Sequence, residues 1–277
     1  MSRVALSVAV IAVALGAPGA VARADVRFAI GNDVFASTPP FDDDGFTNDL
    51  DLRFWRPYRG VLIGGEVLER WVTEVPRSGG RRRDLLELVG TGERSWGSAP
   101  RELTLTGRAG PTFSGNLGGR WGQNAFHTIC QCGNTLDEGL QRRYDSATDA
   151  GALVGGSARG SVGVPIAQAY AVIDAQGALG AGVSWLDAAA GGQLVIRGGT
   201  TEIGAHLELA VMRYHVADSG LALPGGYRPG WQTAYRAGLY VARGRIRFEY
   251  ELRANEGGSG EPIGIVAVTI KQAGTAY

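Results

Sequence analysis

From residue 25 onward the chain alternates apolar and polar positions with a period of two, the mark of strands with two unlike faces. In "RIRFEYELR", Ile246, Phe248, Tyr250 and Leu252 fall on one face and Arg245, Arg247, Glu249, Glu251 and Arg253 on the other. "TNDLDLRFW" sets Leu50, Leu52 and Phe54 against Asp49, Asp51 and Arg53, and "WQTAYRAGLYV" sets Trp231, Tyr235, Leu239 and Val241 against Gln232 and Arg236. Strands are expected near 26–32, 47–55, 61–72, 84–91, 101–110, 150–160, 167–178, 186–197, 201–214, 231–242, 245–254 and 263–271. The segments between 150 and 197, rich in Gly and Ala, have the least sharply marked ends.

Alternation alone does not separate a soluble sandwich from a membrane barrel, because both have one apolar and one polar face. Connection lengths do. Short links such as "RPYRG", "GSVGVP", "GGT" and "RG" alternate with long ones, among them "DVFASTPPFDDDGF", residues 111–149 and "HVADSGLALPGGYRPG". An even count of about twelve strands, with short turns at one end and long loops at the other, predicts an all-β transmembrane antiparallel β-barrel with both termini on the short-turn side.

The amino terminus fits export. Residues 1–24 combine Arg3, an apolar run from Val4 to about Leu15 and the small-residue ending Ala22-Arg23-Ala24, as in a signal peptide cleaved after Ala24. The apolar run falls short of the roughly 20 residues that a spanning helix needs. Residues 25–277 are then one barrel domain in the bacterial outer membrane. Of the 277 residues, 27 are basic and 27 acidic, so no overall basic field favours nucleic acid. The only lysine is Lys271, and arginine carries nearly all the positive charge.

This topology gathers the polar clusters on one rim. The first long loop opens with Asn32-Asp33 and closes with "FDDDGFTND", the second carries "RSGGRRRD", and the third holds His127 close to Cys130 and Cys132. In the third loop Trp121, Ala125 and Ile129 recur at helical spacing, which predicts a loop helix carrying His127. Each cluster has an ordinary reading as well. Asn-Asp is common at strand ends, the Asp42–Asp44 run suits a solvated loop, and the arginines suit a solvated or lipopolysaccharide-facing patch. His127, Cys130 and Cys132 lack the paired spacing of a structural zinc site; a Cys130–Cys132 link is an alternative, strained by its single intervening residue. His206 and His215 lie in and after a strand and read as structural, and no G-x-S-x-G elbow is present.

"FAIGNDVF", then "GFTNDLDLRFW", then "GPTFSGNLGGRWGQNAFHTI" together resemble the lipid A 3′-O-deacylase family of Gram-negative outer-membrane barrels. The resemblance covers most of the mature chain in topology and is specific in these three patches. It implies a twelve-stranded barrel with a site between the outer rim and a loop helix, facing the extracellular leaflet. It implies His127 as the base that activates water against an acyl ester of lipid A in lipopolysaccharide, with Asn32, Asp33 and Thr47 completing the catalytic group. It also implies a divalent cation, calcium in the first instance, with Asp33 as a ligand, and a monomer acting in the membrane. The sequence departs from the family at a lysine near the second loop, where Arg81, Arg82 or Arg83 would have to bind a lipid A phosphate instead. It departs again at an acid just beyond the histidine, for which Asp137 or Glu138 would have to substitute. A non-enzymatic porin and an esterase for another membrane lipid remain the competing readings.

Overall fold

The computed structural model of the protein describes residues 23–33, 47–72, 84–98, 100–115, 149–216, 230–256 and 263–273. Twelve strands account for almost all of them: β1 (Arg23–Asp33), β2 (Thr47–Tyr58), β3 (Val61–Val72), β4 (Asp84–Ser98), β5 (Arg101–Gly115), β6 (Asp149–Val164), β7 (Ala167–Gly180), β8 (Val183–Gly198), β9 (Thr201–Val216), β10 (Gly230–Arg243), β11 (Ile246–Glu256) and β12 (Ile263–Ala273). Each pairs antiparallel with its neighbours in sequence, and β1 pairs with β12 to close the barrel. Closure satisfies the backbone of every strand internally, the condition for strands to cross hydrocarbon. β1 starts two residues before the expected cleavage point, with Arg23 and Ala24 opposite Ala273 and Gln272; residues 1–22 lie outside the described residues.

The side chains divide as the alternation predicts. Phe248, Leu239, Ile203, Ile173, Leu179 and Val154 stand exposed on the outer surface, and their strand neighbours turn into the lumen. The outer face is therefore a lipid-compatible apolar belt. Inward positions are largely polar, so the charged half of the pattern lies inside the barrel rather than in solvent.

At one end, the short-turn end, five hairpins close with two residues each. The β2–β3 turn uses Arg59 (φ 49°) and Gly60 (φ 79°), the pair of positive φ angles that matches the twist of a tight hairpin. At the other end, the loop end, the links 34–46, 73–83, 116–148, 217–229 and 257–262 are longer. The β7–β8 link departs from this pattern. The alternation leaves residues 179–185 between strands, whereas the strands extend to Gly180 and Val183 and leave only Ala181-Gly182 as a turn. Gly180 (φ 74°) and Gly182 (φ 147°) supply the backbone angles. The buried Thr112 hydroxyl donates to the Ala181 carbonyl and pins the turn to β5.

One glycine shapes the lumen directly. Gly238 on β10 lies between His206 on β9 and Glu251 on β11 in the register, and a Cβ at Gly238 would stand 2.2 Å from the imidazole Cε1. The absent side chain lets His206 cross β10 and bring its Nε2 to 3.3 Å from Glu251 Oε2. Gly238→Val should therefore displace the imidazole and cost about 1–3 kcal/mol of stability. Ala237→Val, on the lipid face of the same strand, should cost little. The temperature at which the folded band is lost in heat-modifiability gels measures both; equal midpoints for the two variants would contradict this packing.

Candidate functional site

Strand order places three of the sequence-selected residues on one edge. Asn32 and Asp33 are the last two residues of β1, and Thr47 is the first of β2. Gly31 pairs with Thr47, and on the other side Asn32 and Asp33 pair with Gly264 and Ile263. The ladder to β12 runs without a bulge through Asp33, so the pair sits together as the strand's end rather than as a break within it. Arg81, Arg82 and Arg83 belong to the link entering β4, and His127, Cys130, Cys132, Asp137 and Glu138 to the link between β5 and β6. Both links leave from the loop end, and all of these residues, with Asp42–Asp44 and the expected loop helix, lie outside the described residues.

Directly below this rim, side chains from several strands bridge the lumen. Arg70 on β3 is 4% exposed and grips Asp49 on β2 as a fork, Nε to Oδ1 at 2.7 Å and Nη2 to Oδ2 at 3.1 Å. Gln176 on β7 donates to Glu87 on β4 at 3.2 Å and to the Val183 carbonyl on β8 at 3.0 Å. An apolar layer joins them, with Leu85, Val183 and Met212 wholly buried and Tyr214, Ala189, Ala210 and Ala234 packed into the same cluster. β4 and β9 are five strands apart in the barrel order, so a cluster holding Leu85 together with Met212 and Tyr214 spans the lumen. Arg70 Nη1 and Gln176 Oε1 are buried at this level without a hydrogen-bond partner among the described residues. Such atoms are costly unless a water, a link residue or a ligand satisfies them.

Further into the barrel, charges pair across strands. Arg236 on β10 binds Asp187 on β8 at 2.5 Å and Glu208 on β9 at 2.6 Å. Arg108 on β5 reaches Asp174 on β7 at 2.6 Å, with its guanidinium 4.7 Å from the Trp185 ring centre. Arg53 bridges Asp51 at 2.6 Å and Glu66 at 3.3 Å. Toward the short-turn end, Tyr240 donates to Glu202 at 2.7 Å, Arg247 stacks 3.7 Å from the Tyr240 ring centre, and Glu251 is shared by His206 and Arg253.

His206, Glu249 and Glu251 form the one group of three side chains with metal-ligating atoms that the described residues bring together, within 4.8 Å of one another. Glu251 already pairs with Arg253 and Glu249 with Arg247 at 3.3 Å. Two guanidiniums beside the same carboxylates compensate the charge a cation would need, and the trio reads as a structural ion cluster. His206 thus serves packing, as expected from its place in a strand. The lumenal network itself was not singled out from the sequence. Its signal was the polar half of each alternation, where Arg108, Asp174, Asp187, Glu208 and Arg236 occupy inward positions whose partners emerge only once strand register is known.

No protein-family model and no curated protein matches the sequence. Among solved structures, the fold is similar to LpxR from Salmonella typhimurium, at 12% identity and a TM-score of 0.56, over 89% of this chain and 99% of that one. It is also similar to the β domain of the Bordetella autotransporter BrkA, at 13% identity and a TM-score of 0.51, over 91% and 98%. The KdgM porin matches at 10% identity and a TM-score of 0.42, over 90% and 98%. The first two likenesses show a shared barrel fold.

Two outcomes follow from the bridged lumen. Protein reconstituted in planar bilayers should give no stable open-channel current; steady porin-like steps would contradict the cross-lumen layer. Arg70→Met should strand the Asp49 carboxylate and cost about 3–5 kcal/mol, while Arg70→Met with Asp49→Leu should recover most of the loss. Denaturant titration of the vesicle-inserted barrel measures the cycle, and no recovery in the double variant would show that the pair is not the source of the cost.

Proposed function

We propose that the protein is a bacterial outer-membrane ester hydrolase that removes an acyl chain from lipid A, its site lying on the loop-end rim above a closed lumen. The observation that carries the reading is the juxtaposition of a lumen bridged by side chains with a polar rim. A barrel whose interior is bridged by Leu85, Val183, Met212 and Tyr214 and by interlocking ion pairs is poorly suited to passing solutes. Its chemistry is then sought at the edge where Asn32, Asp33 and Thr47 meet on adjacent strands. The first two of the three sequence patches that resemble lipid A 3′-O-deacylases meet at that edge, the third begins on β5 and continues into a link at the same end of the barrel, and the fold likeness to LpxR extends along nearly the whole of both chains.

In this reading His127 takes a proton from water, and the resulting hydroxide attacks the carbonyl carbon of the acyl ester. The tetrahedral intermediate collapses with cleavage of the bond to the sugar oxygen. That oxygen takes up a proton, and a fatty acid and a free sugar hydroxyl leave. Asn32, Asp33 and Thr47 offer oxygen donors, the type a hard cation such as Ca²⁺ takes, and when bound it would supply positive charge where the oxyanion develops. Arg81, Arg82 and Arg83, on a link at the same end, supply planar cationic forks for a lipid A phosphate. Asp137 or Glu138 is the acid available to orient the imidazole.

His127→Asn should lower acyl release by at least about a hundredfold, the usual contribution of a positioned acid–base group. Replacing Cys130 and Cys132 together by Ser should cost far less. Asp33→Ala should abolish release without impairing barrel assembly, and chelator should reproduce that loss in the wild type. Mass spectrometry of lipid A from cells with equal amounts of inserted protein reads all four. Near-normal release in the histidine variant, or full activity in excess chelator, would remove those groups from the mechanism.

A further inference from the structure

The short-turn end, opposite the candidate site, carries outward charge of one sign. On the adjacent hairpins β2–β3 and β4–β5, Arg56, Arg59, Arg94 and Arg101 are all exposed. None has a carboxylate within 4.0 Å among the described residues. Three of the four are strand residues. Arg94 and Arg101 alternate with the exposed Trp96, Leu103 and Leu105, and Arg56 with Phe54, so they share the outer face with the apolar belt. The nearby acids Glu93 and Glu102 fall on the alternate, inward positions, and Glu102 accepts from the Thr104 hydroxyl at 3.4 Å.

Two of these arginines are braced by rings. The Arg59 guanidinium lies 5.2 Å from the Tyr58 ring centre and that of Arg94 lies 5.0 Å from the Trp96 ring centre, and both rings are themselves exposed. The hairpins sit side by side, since Leu62 pairs with Glu93. Tyr58 pairs with Val61, which puts Arg94 two strands from Tyr58, roughly 10 Å away. Arg59 holds φ 49°, a left-handed position that turns normally give to Gly or Asn, and no ion pair of the lumen accounts for an arginine there. At the loop end the outward strand positions carry both signs, Glu69 as well as Arg213.

We propose that Arg56, Arg59, Arg94 and Arg101 form a docking surface for the phosphates of anionic glycerophospholipids in the leaflet around the short-turn end. These side chains stand one or two alternate positions from exposed apolar residues, where hydrocarbon gives way to headgroups. A guanidinium presents a planar fork that matches two phosphate oxygens, and the stacked rings suit the interface, with an apolar body and a polar edge. Turn arginines that merely solvate a hairpin would not need strand positions on the lipid face. The surface lies at the end opposite the proposed ester hydrolase site, and it stands or falls independently of that activity.

Each basic residue near an anionic membrane surface strengthens attachment about fivefold. The barrel purified in neutral detergent should therefore retain phosphatidylglycerol over phosphatidylcholine of the same acyl chains by at least about tenfold, read as bound lipid by native mass spectrometry. The preference should fall with salt. The variant R56Q/R59Q/R94Q/R101Q should bind both lipids equally, whereas Arg213→Gln, at the other end, should keep the preference. Should the quadruple variant fold poorly, R94Q and R101Q singly should each weaken the preference. Inorganic phosphate should not displace the lipid at concentrations that match it in phosphate. Equal retention of the two lipids by the wild type, an unchanged preference in the quadruple or both single variants, or ready displacement by free phosphate would overturn the proposal.

Discussion

The interaction on which the rest depends is the pairing of charges inside a closed lumen. Closing twelve strands into a barrel satisfies the backbone, but it also commits every second side chain to an enclosed space. This sequence fills that space with carboxylates and guanidiniums. An isolated charge there is costly, so each must find an opposite partner within reach. Arg236 between Asp187 and Glu208, Arg70 forked on Asp49, and Arg108 between Asp174 and the Trp185 ring are solutions of this kind, their charges drawn from neighbouring and next-but-one strands of the barrel. Once they form, strand register is fixed, because a slip by one residue would turn each charge into lipid.

That constraint also separates the two ends. Near the loop end, Leu85, Val183, Met212 and Tyr214 complete the filling with an apolar layer, and the polar groups above it are gathered on the rim. At the short-turn end Glu202 pairs with Arg197, and the outward arginines of the first hairpins face the lipid interface without a carboxylate partner among the described residues. In the proposed reading one end serves chemistry on a lipid of the outer leaflet, and the other holds the barrel against phosphate headgroups of the inner leaflet.

Much of this fold was legible in the chain. Period-two alternation is strong wherever bulky apolar residues face lipid, as in "RIRFEYELR", and there strand positions and faces follow directly from the residues. It weakens in β6 to β8, where Gly and Ala replace large side chains. The ends at Gly180 and Val183 depended instead on a glycine turn pinned by Thr112, a contact about seventy residues away in sequence. Of the candidate site, the placement of Asn32, Asp33 and Thr47 on one edge was readable from alternation and link length. The internal ion pairs were not, because a charge at an inward position announces that it needs a partner without naming it. The roles of His127 and Arg81–Arg83 rest on the long links, where no period constrains the chain and only a resemblance assigns chemistry.

The central claim is that a barrel closed inside acts on lipid at its rim. The most direct measurement places the purified wild-type protein in vesicles containing lipid A and calcium and follows two signals in one preparation: lipid A mass and fatty acid by mass spectrometry, and entrapped-solute efflux by fluorescence. The account predicts lipid A lighter by one acyl chain, an equal amount of free fatty acid, and no efflux beyond empty vesicles. Intact lipid A accompanied by rapid solute efflux would contradict it.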